Sequence, residues 1–160
     1  MSPNRQIKHL IIADDDEDDQ LLLKEAIQEF SDSILTTIIP DGKQLMSFLN
    51  KGNVPELLLL DLNMPYKNGS ECLMEIRAND LLRNIPVVIL STSKNIRDIE
   101  LCFNFGANLF FTKPCSFQSL KTLIRSILTI NWNTFKAVSS KQKFTQIATS
   151  GHVPLMEEIQ

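Results

Sequence analysis

Residues 56–65 read Glu-Leu-Leu-Leu-Leu-Asp-Leu-Asn-Met-Pro. Leu57 to Leu60 are continuously apolar rather than alternating, the pattern of a short strand covered on both faces, as in a parallel sheet between helix layers. The run stops on a carboxylate, Asp61, and Asn63-Met64-Pro65 turns the chain. A strand that is fully apolar and then delivers an acid at its carboxyl end fits an open α/β sheet, where ligands bind beyond those ends.

Working outward, similar runs recur on both sides. The predicted strands are Ile7–Ala13, Ile34–Ile39, Glu56–Asp61, Pro86–Ser91 and Asn108–Thr112. Between them lie helical stripes: Leu23, Ile27 and Phe30, then Leu45, Phe48 and Leu49, and last Leu120, Leu123, Ile124 and Ile127. Strand–helix alternation at this spacing gives right-handed βαβ units and a doubly wound (βα)5 domain of the α/β class. The domain is expected over residues 7–130. Beyond it the pattern dissolves, and 131–160 form a C-terminal tail, helical or mobile.

Composition agrees with such a domain. The chain has 160 residues, 43% hydrophobic and 22% charged, with formal net charge −3. At that length roughly 70% of the unfolded surface is hidden on folding, enough for a core without staples. A nucleic-acid surface would show as a basic domain, so none is expected. Met1 to Lys8 has no apolar signal-peptide core, and no run reaches the ~18 apolar residues of a membrane span. Cys72, Cys102 and Cys115 lack metal-ligand spacing and read as reduced thiols filling core or half-buried positions. A cytoplasmic location is the expectation. The tail is too short for a winged helix and shows no helix-turn-helix pattern.

The strand ends carry the chemistry. The first ends in Asp14 and Asp15, the third in Asp61, the fourth in Ser91 and Thr92, and the fifth in Lys113-Pro114. The second ends in Pro40-Asp41-Gly42, a plain turn. Carboxylates gathered at one sheet edge repel one another unless cations are present. Lys113 supplies one positive charge. An all-oxygen site with few carboxylates suits Mg²⁺ as the second. A carboxylate beside Mg²⁺, Lys and Ser is the equipment for an acyl phosphate, because phosphoryl transfer needs chiefly positioning and charge neutralisation.

The segments LIIADDDEDD, LLLLDLNMPYKNGSE, IPVVILSTS and GANLFFTKP, in this order and spacing, resemble the successive signatures of the bacterial response-regulator receiver (chemotaxis-regulator-like) family. The resemblance runs from about Ile7 to Leu128. It implies a flavodoxin-like sheet of order 2-1-3-4-5 and Asp61 as the phosphoacceptor. Asp15 and Asp61 are then direct Mg²⁺ ligands, Asp14 acts through a metal-bound water, and the Asn63 carbonyl is a further ligand. Ser91 takes the place of the switch hydroxyl, with Thr92 beside it, and Lys113 that of the phosphoryl-binding lysine. Lys113–Pro114 falls at a bond that is usually cis in the family. Phe110 stands where many receivers carry a switch tyrosine; its ring can turn inward but has no hydroxyl to offer.

The resemblance further implies a stand-alone two-component response regulator with no enzymatic activity beyond self-phosphorylation and autodephosphorylation. Its partners are a sensor histidine kinase and an unnamed downstream protein, and homodimerisation through helix 4, strand 5 and helix 5 is allowed. Trp132, soon after the last helix, adds a likeness to receivers associated with phytochrome-type kinases.

The same residues admit other readings. Asp16, Glu17, Asp18 and Asp19 need no role beyond stabilising a helix start. Asp14, Asp16, Asp18 and Glu25 fall at EF-hand positions 1, 3, 5 and 12, but Asp19 stands where that loop needs Gly. A haloacid-dehalogenase-type phosphatase needs a second acid where Asn63 stands. A phosphate-independent interaction module has no physical need for mutually repelling carboxylates. Phe103, Phe105, Phe110 and Phe111 read as core or interface packing.

Overall fold

The computed structural model describes residues 7–135 and 137–154. Five parallel strands alternate with five helices: β1 (His9–Ala13), α1 (Glu17–Phe30), β2 (Leu35–Ile39), α2 (Gly42–Asn50), β3 (Leu57–Leu60), α3 (Gly69–Ala78), β4 (Val87–Ser91), α4 (Ile96–Asn104), β5 (Leu109–Thr112) and α5 (Phe117–Thr129). A sixth helix, α6 (Lys141–Ser150), follows. The sheet order is β2-β1-β3-β4-β5. Leu57 to Leu60 and Val87 to Leu90 are all buried, as expected when helices cover both faces. The strand order reverses at β1, which pairs with both β2 and β3.

Each strand starts one or two residues later than its apolar run. Glu56 shows why at one of these ends. Its Oε1 accepts from Lys8 N at 2.8 Å and His9 N at 3.2 Å, so a side chain does there what a ladder carbonyl does further along. At another, Pro86 has no N–H to give, and its carbonyl accepts from Leu58 N at 2.9 Å.

Helix starts are fixed by side-chain caps that satisfy otherwise unpaired N–H groups. Asp16 accepts from Asp19 N, Asp41 from Gln44 N, Ser116 from Ser119 N and Ser140 from Lys143 N. Asn68 and Glu71 form a capping box on α3. Asp41 is therefore more than the turn residue its Pro-Asp-Gly setting suggested: it is buried and caps α2.

The core runs through the sheet and the inner helix faces. Phe110 and Phe111 lie fully buried on opposite faces of the edge strand β5. Cys72 and Cys102 are buried, and burial pushes both thiols up to about 12, which leaves them unreactive fillers. Cys115 differs from expectation: it is exposed, in the short loop before α5.

The segment after α5 contains a second packing layer. Trp132 and Phe135 set their rings 4.8 Å apart, and α6 then lies on α4 and β5. Of the tail expected over 131–160, helical or mobile, residues 141–150 form a docked helix, while residues 136 and 155–160 lie outside the described residues. The α4–β5–α5 face, where the family resemblance allows a homodimer, carries α6 of the same chain over its α4 and β5 parts. No helix among the described residues is long and apolar enough to cross a membrane.

Candidate functional site

Backbone pairing continues past the strand ends and sets the acids side by side. Asp14 N donates to Ile39 O at 3.1 Å, and Asp61 N donates to Ala13 O at 2.9 Å. The residues following β1 and β3 are thereby held as neighbours. Lys113 N donates to Ser91 O at 2.8 Å, which extends the β4–β5 pairing in the same way. Among the described residues four polar side chains are buried, Asp14, Asp41, Asp61 and Ser91. Asp41 caps a helix; the other three stand at this edge.

Lys113 Nζ is the hub. It donates to Asp14 Oδ2 at 2.8 Å, Asp19 Oδ2 at 2.8 Å and Asp61 Oδ2 at 3.2 Å. The acidic run predicts only a helix-start role for Asp19, but the structure makes it a direct partner of the lysine. Asp16 capping the helix places Asp19 in its first turn, facing back to the sheet edge. The signal available in sequence was its position one helical turn after Asp15.

One ammonium does not neutralise this cluster. Burial, aided by the Asp14 charge and opposed by Lys113, pushes the Asp61 carboxyl up to about 6. Burial likewise raises the Asp14 carboxyl, against the Lys113 hydrogen bond and charge. Burial works to lower the Lys113 ammonium, but the bonds to Asp14 and Asp19 and the charge of Asp61 outweigh it and hold it above its ordinary value. The edge therefore has room for more positive charge.

Asp14, Asp15 and Asp61 can each bring one carboxylate oxygen within 4.8 Å of the others. Hard oxygen donors from few carboxylates, with Asp15 open to solvent, fit a hydrated dication such as Mg²⁺. Asp16, Asp18 and Glu25 take no part in such a group, and Leu10–Ala13 is buried strand. The EF-hand reading fails on both counts.

Asn63 is exposed, and its N–H reaches Asp61 Oδ1 at 3.4 Å. Ser91 is completely buried, and its Oγ accepts from Ser93 N at 3.2 Å. Thr92 is exposed beside it. The Phe110 ring is fully buried on β5. Lys113–Pro114 is trans, as are all described peptide bonds, against the cis form expected; trans is also the lower-energy isomer before proline by roughly 0.5–1 kcal/mol.

Two backbone features shape the loop after Asp61. Tyr66 has φ 68° and bridges a tight turn closed by Lys67 N to Pro65 O at 2.8 Å. Gly69 packs against the phosphoacceptor candidate's own backbone: a Cβ there would run into the Asp61 carbonyl oxygen and Leu62 Cα. Its N–H donates to Leu62 O at 2.9 Å. The loop is thus folded tightly under Asp61.

A family model for the response regulator receiver domain matches residues 10–125. Response regulator Rcp1 of Synechocystis sp. is 32% identical over 126 residues, covering 75% of this chain and 86% of that protein. The probable methanogenesis regulatory protein FilR2 of Methanothrix harundinacea is 29% identical over 131 residues, covering 78% and 84%. Among solved structures, the Mn²⁺-bound form of Rcp1 superposes with a TM-score of 0.72 at 31% identity, covering 81% of this chain and 98% of that one. The phosphorylated cyanobacterial phytochrome response regulator RcpA gives 0.74 at 32% identity, covering 83% and 99%. Sheet order, strand-end acids and these matches agree, and the chain belongs to the response regulator receiver domain family.

Proposed function

We propose that the chain is a cytoplasmic phosphorylatable switch, with Asp61 as phosphoacceptor and Mg²⁺ held by Asp14, Asp15, Asp61 and the Asn63 carbonyl. The observation that carries this reading is the cluster around Lys113. A buried Asp61 carboxyl, held up near 6, shares one ammonium with two other acids, an arrangement that is short of positive charge. The metal, when bound, neutralises charge on the carboxylates and on the oxygens of an incoming phosphoryl group.

The donor is the phosphohistidine of a sensor histidine kinase. An Asp61 carboxylate oxygen attacks phosphorus, and the P–N bond breaks with its electron pair going to the imidazole. Water later attacks the same phosphorus, releasing inorganic phosphate and restoring the carboxylate. Lys113 moves from its carboxylate partners to a phosphoryl oxygen that exists only in the phosphorylated state, so it contributes to the difference between states. Ser91, with Thr92 alongside, turns its hydroxyl toward the same group. The output is a change in protein–protein contact rather than an enzymatic turnover. The Mn²⁺-bound relative and the phosphorylated relative support both halves of the reading.

An amide NMR titration tests it. Mg²⁺ followed by beryllofluoride should shift Asp61, Asn63 and Ser91 in the wild type, and Asp61→Asn should remove the beryllofluoride response. A response centred on Asp18 and Glu25, or one unchanged in Asp61→Asn, refutes the assignment.

A further inference from the structure

α6 has a single apolar stripe. Phe144, Ile147 and Ala148 are buried at i, i+3 and i+4, and every other side chain of the helix is polar. The stripe rests on α4 and β5. Phe144 is 1% exposed, and its ring lies 5.3 Å from that of Phe103 on α4. Val138, just before the helix, is buried with it. A helix of ten residues is not stable alone in water, so α6 holds its shape only while docked. Docking and helix formation are one equilibrium.

The two elements beneath α6 are also those tied to the carboxylate site, and Ser93 is the knot. Its N–H donates to Ser91 Oγ at 3.2 Å, its Oγ donates to Asp98 Oδ2 of α4 at 2.5 Å, and its carbonyl accepts from Thr112 Oγ1 of β5 at 3.3 Å. Thr112 leads straight into Lys113. A movement of Ser91 or Lys113 toward a group on Asp61 therefore pulls, through Ser93, on α4 and β5 together. α6 lies across the joint between them.

We propose that α6 is an intramolecular strap: it occupies the α4–β5 face while Asp61 is unmodified and is released when Asp61 carries a phosphoryl group. The face it vacates accepts one apolar helical stripe, so the partner kept out is a protein offering an amphipathic helix. This inference rests on the phosphoacceptor reading above. By linkage, release must run both ways: loosening α6 favours the phosphoryl-like state of the site as much as that state loosens α6.

Hydrogen exchange on the full chain, with Mg²⁺ and with or without beryllofluoride, tests the strap. Amides of 141–150 should exchange about fivefold faster or more with beryllofluoride, within the ordinary range of coupling between sites. Phe144→Ala and Phe103→Ala cut the same contact from opposite sides. Each should speed α6 exchange without beryllofluoride and lower the beryllofluoride concentration needed for half-saturation by a similar factor. Unchanged or slower α6 exchange, while the segments around Asp61 and Ser91 respond, overturns the strap and leaves the phosphoacceptor reading standing. No response around Asp61 overturns both.

Discussion

Asp19 Oδ2 lies 2.8 Å from Lys113 Nζ, as close as Asp14 Oδ2 and closer than Asp61 Oδ2 at 3.2 Å. The lysine is thus shared between the first turn of α1 and the sheet edge, and the phosphoacceptor candidate has the longest of its contacts. Asp19 is partly exposed whereas Asp14 and Asp61 are buried, so the contacts differ in energy despite similar lengths.

Removing the hub should cost more than removing its exposed partner. Without Mg²⁺, Lys113→Ala leaves buried carboxylates uncompensated and should destabilise the fold by about 3 kcal/mol. Asp19→Asn should cost about 1 kcal/mol or less. Denaturant melts of the metal-free proteins measure both. Mg²⁺ affinity in Lys113→Ala should be unchanged or tighter, because a competing charge has gone.

Asp61→Asn should stabilise the metal-free protein at neutral pH. The Asp61 carboxyl titrates near 6 in the fold against 3.8 as its ordinary value. The folded state therefore holds its proton over that window while the unfolded state releases it. Stability from this group is complete below the lower value and is lost as pH rises through about 6. Burial shifts Asp14 in the same direction. The variant should melt about 2–4 °C above wild type at pH 7.5, a difference of the size that ~1 kcal/mol produces. The gap should close as pH falls toward 4.

Asp15→Asn should separate metal binding from folding. It is exposed, so Asp15→Asn should leave the metal-free melting temperature within about 1 °C, as for surface changes generally. The stabilisation gained from Mg²⁺, about 1.4 kcal/mol at ten times Kd, should largely disappear. Melting curves across a Mg²⁺ titration give both numbers.

Gly69→Ala should damage fold and site together. The added methyl group meets Asp61 backbone rather than a flexible side chain, so the loop must shift, at about 1–3 kcal/mol. Thermal denaturation should show the loss, and the Mg²⁺-dependent rise in melting temperature should shrink with it.

Much of this architecture is legible in the sequence for a physical reason. Leu57–Leu60 and Val87–Leu90 can be continuously apolar only where both faces are covered, and that requirement gives the parallel sheet and its acid-bearing edge. Asp14, Asp61 and Lys113 are read from the same strand ends. The lysine contact of Asp19 is not, because it joins residues 94 positions apart and depends on the angle at which α1 leaves the sheet. The docking of α6 rests on three apolar residues in ten, too thin a stripe to say which face it covers. Asp41 hid its capping role inside a Pro-Asp-Gly turn signal, since the same residue types serve both purposes. The trans geometry of Lys113–Pro114 has no local signature, as the two isomers before proline differ by so little.

The central claim, that Asp61 is a metal-assisted phosphoacceptor, is tested most directly by mass spectrometry of the intact chain after incubation with acetyl phosphate and Mg²⁺. One added phosphoryl group, removed by hydroxylamine, absent without Mg²⁺ and absent in Asp61→Asn, is the expected result. Labelling of Asp61→Asn at the wild-type level would contradict it.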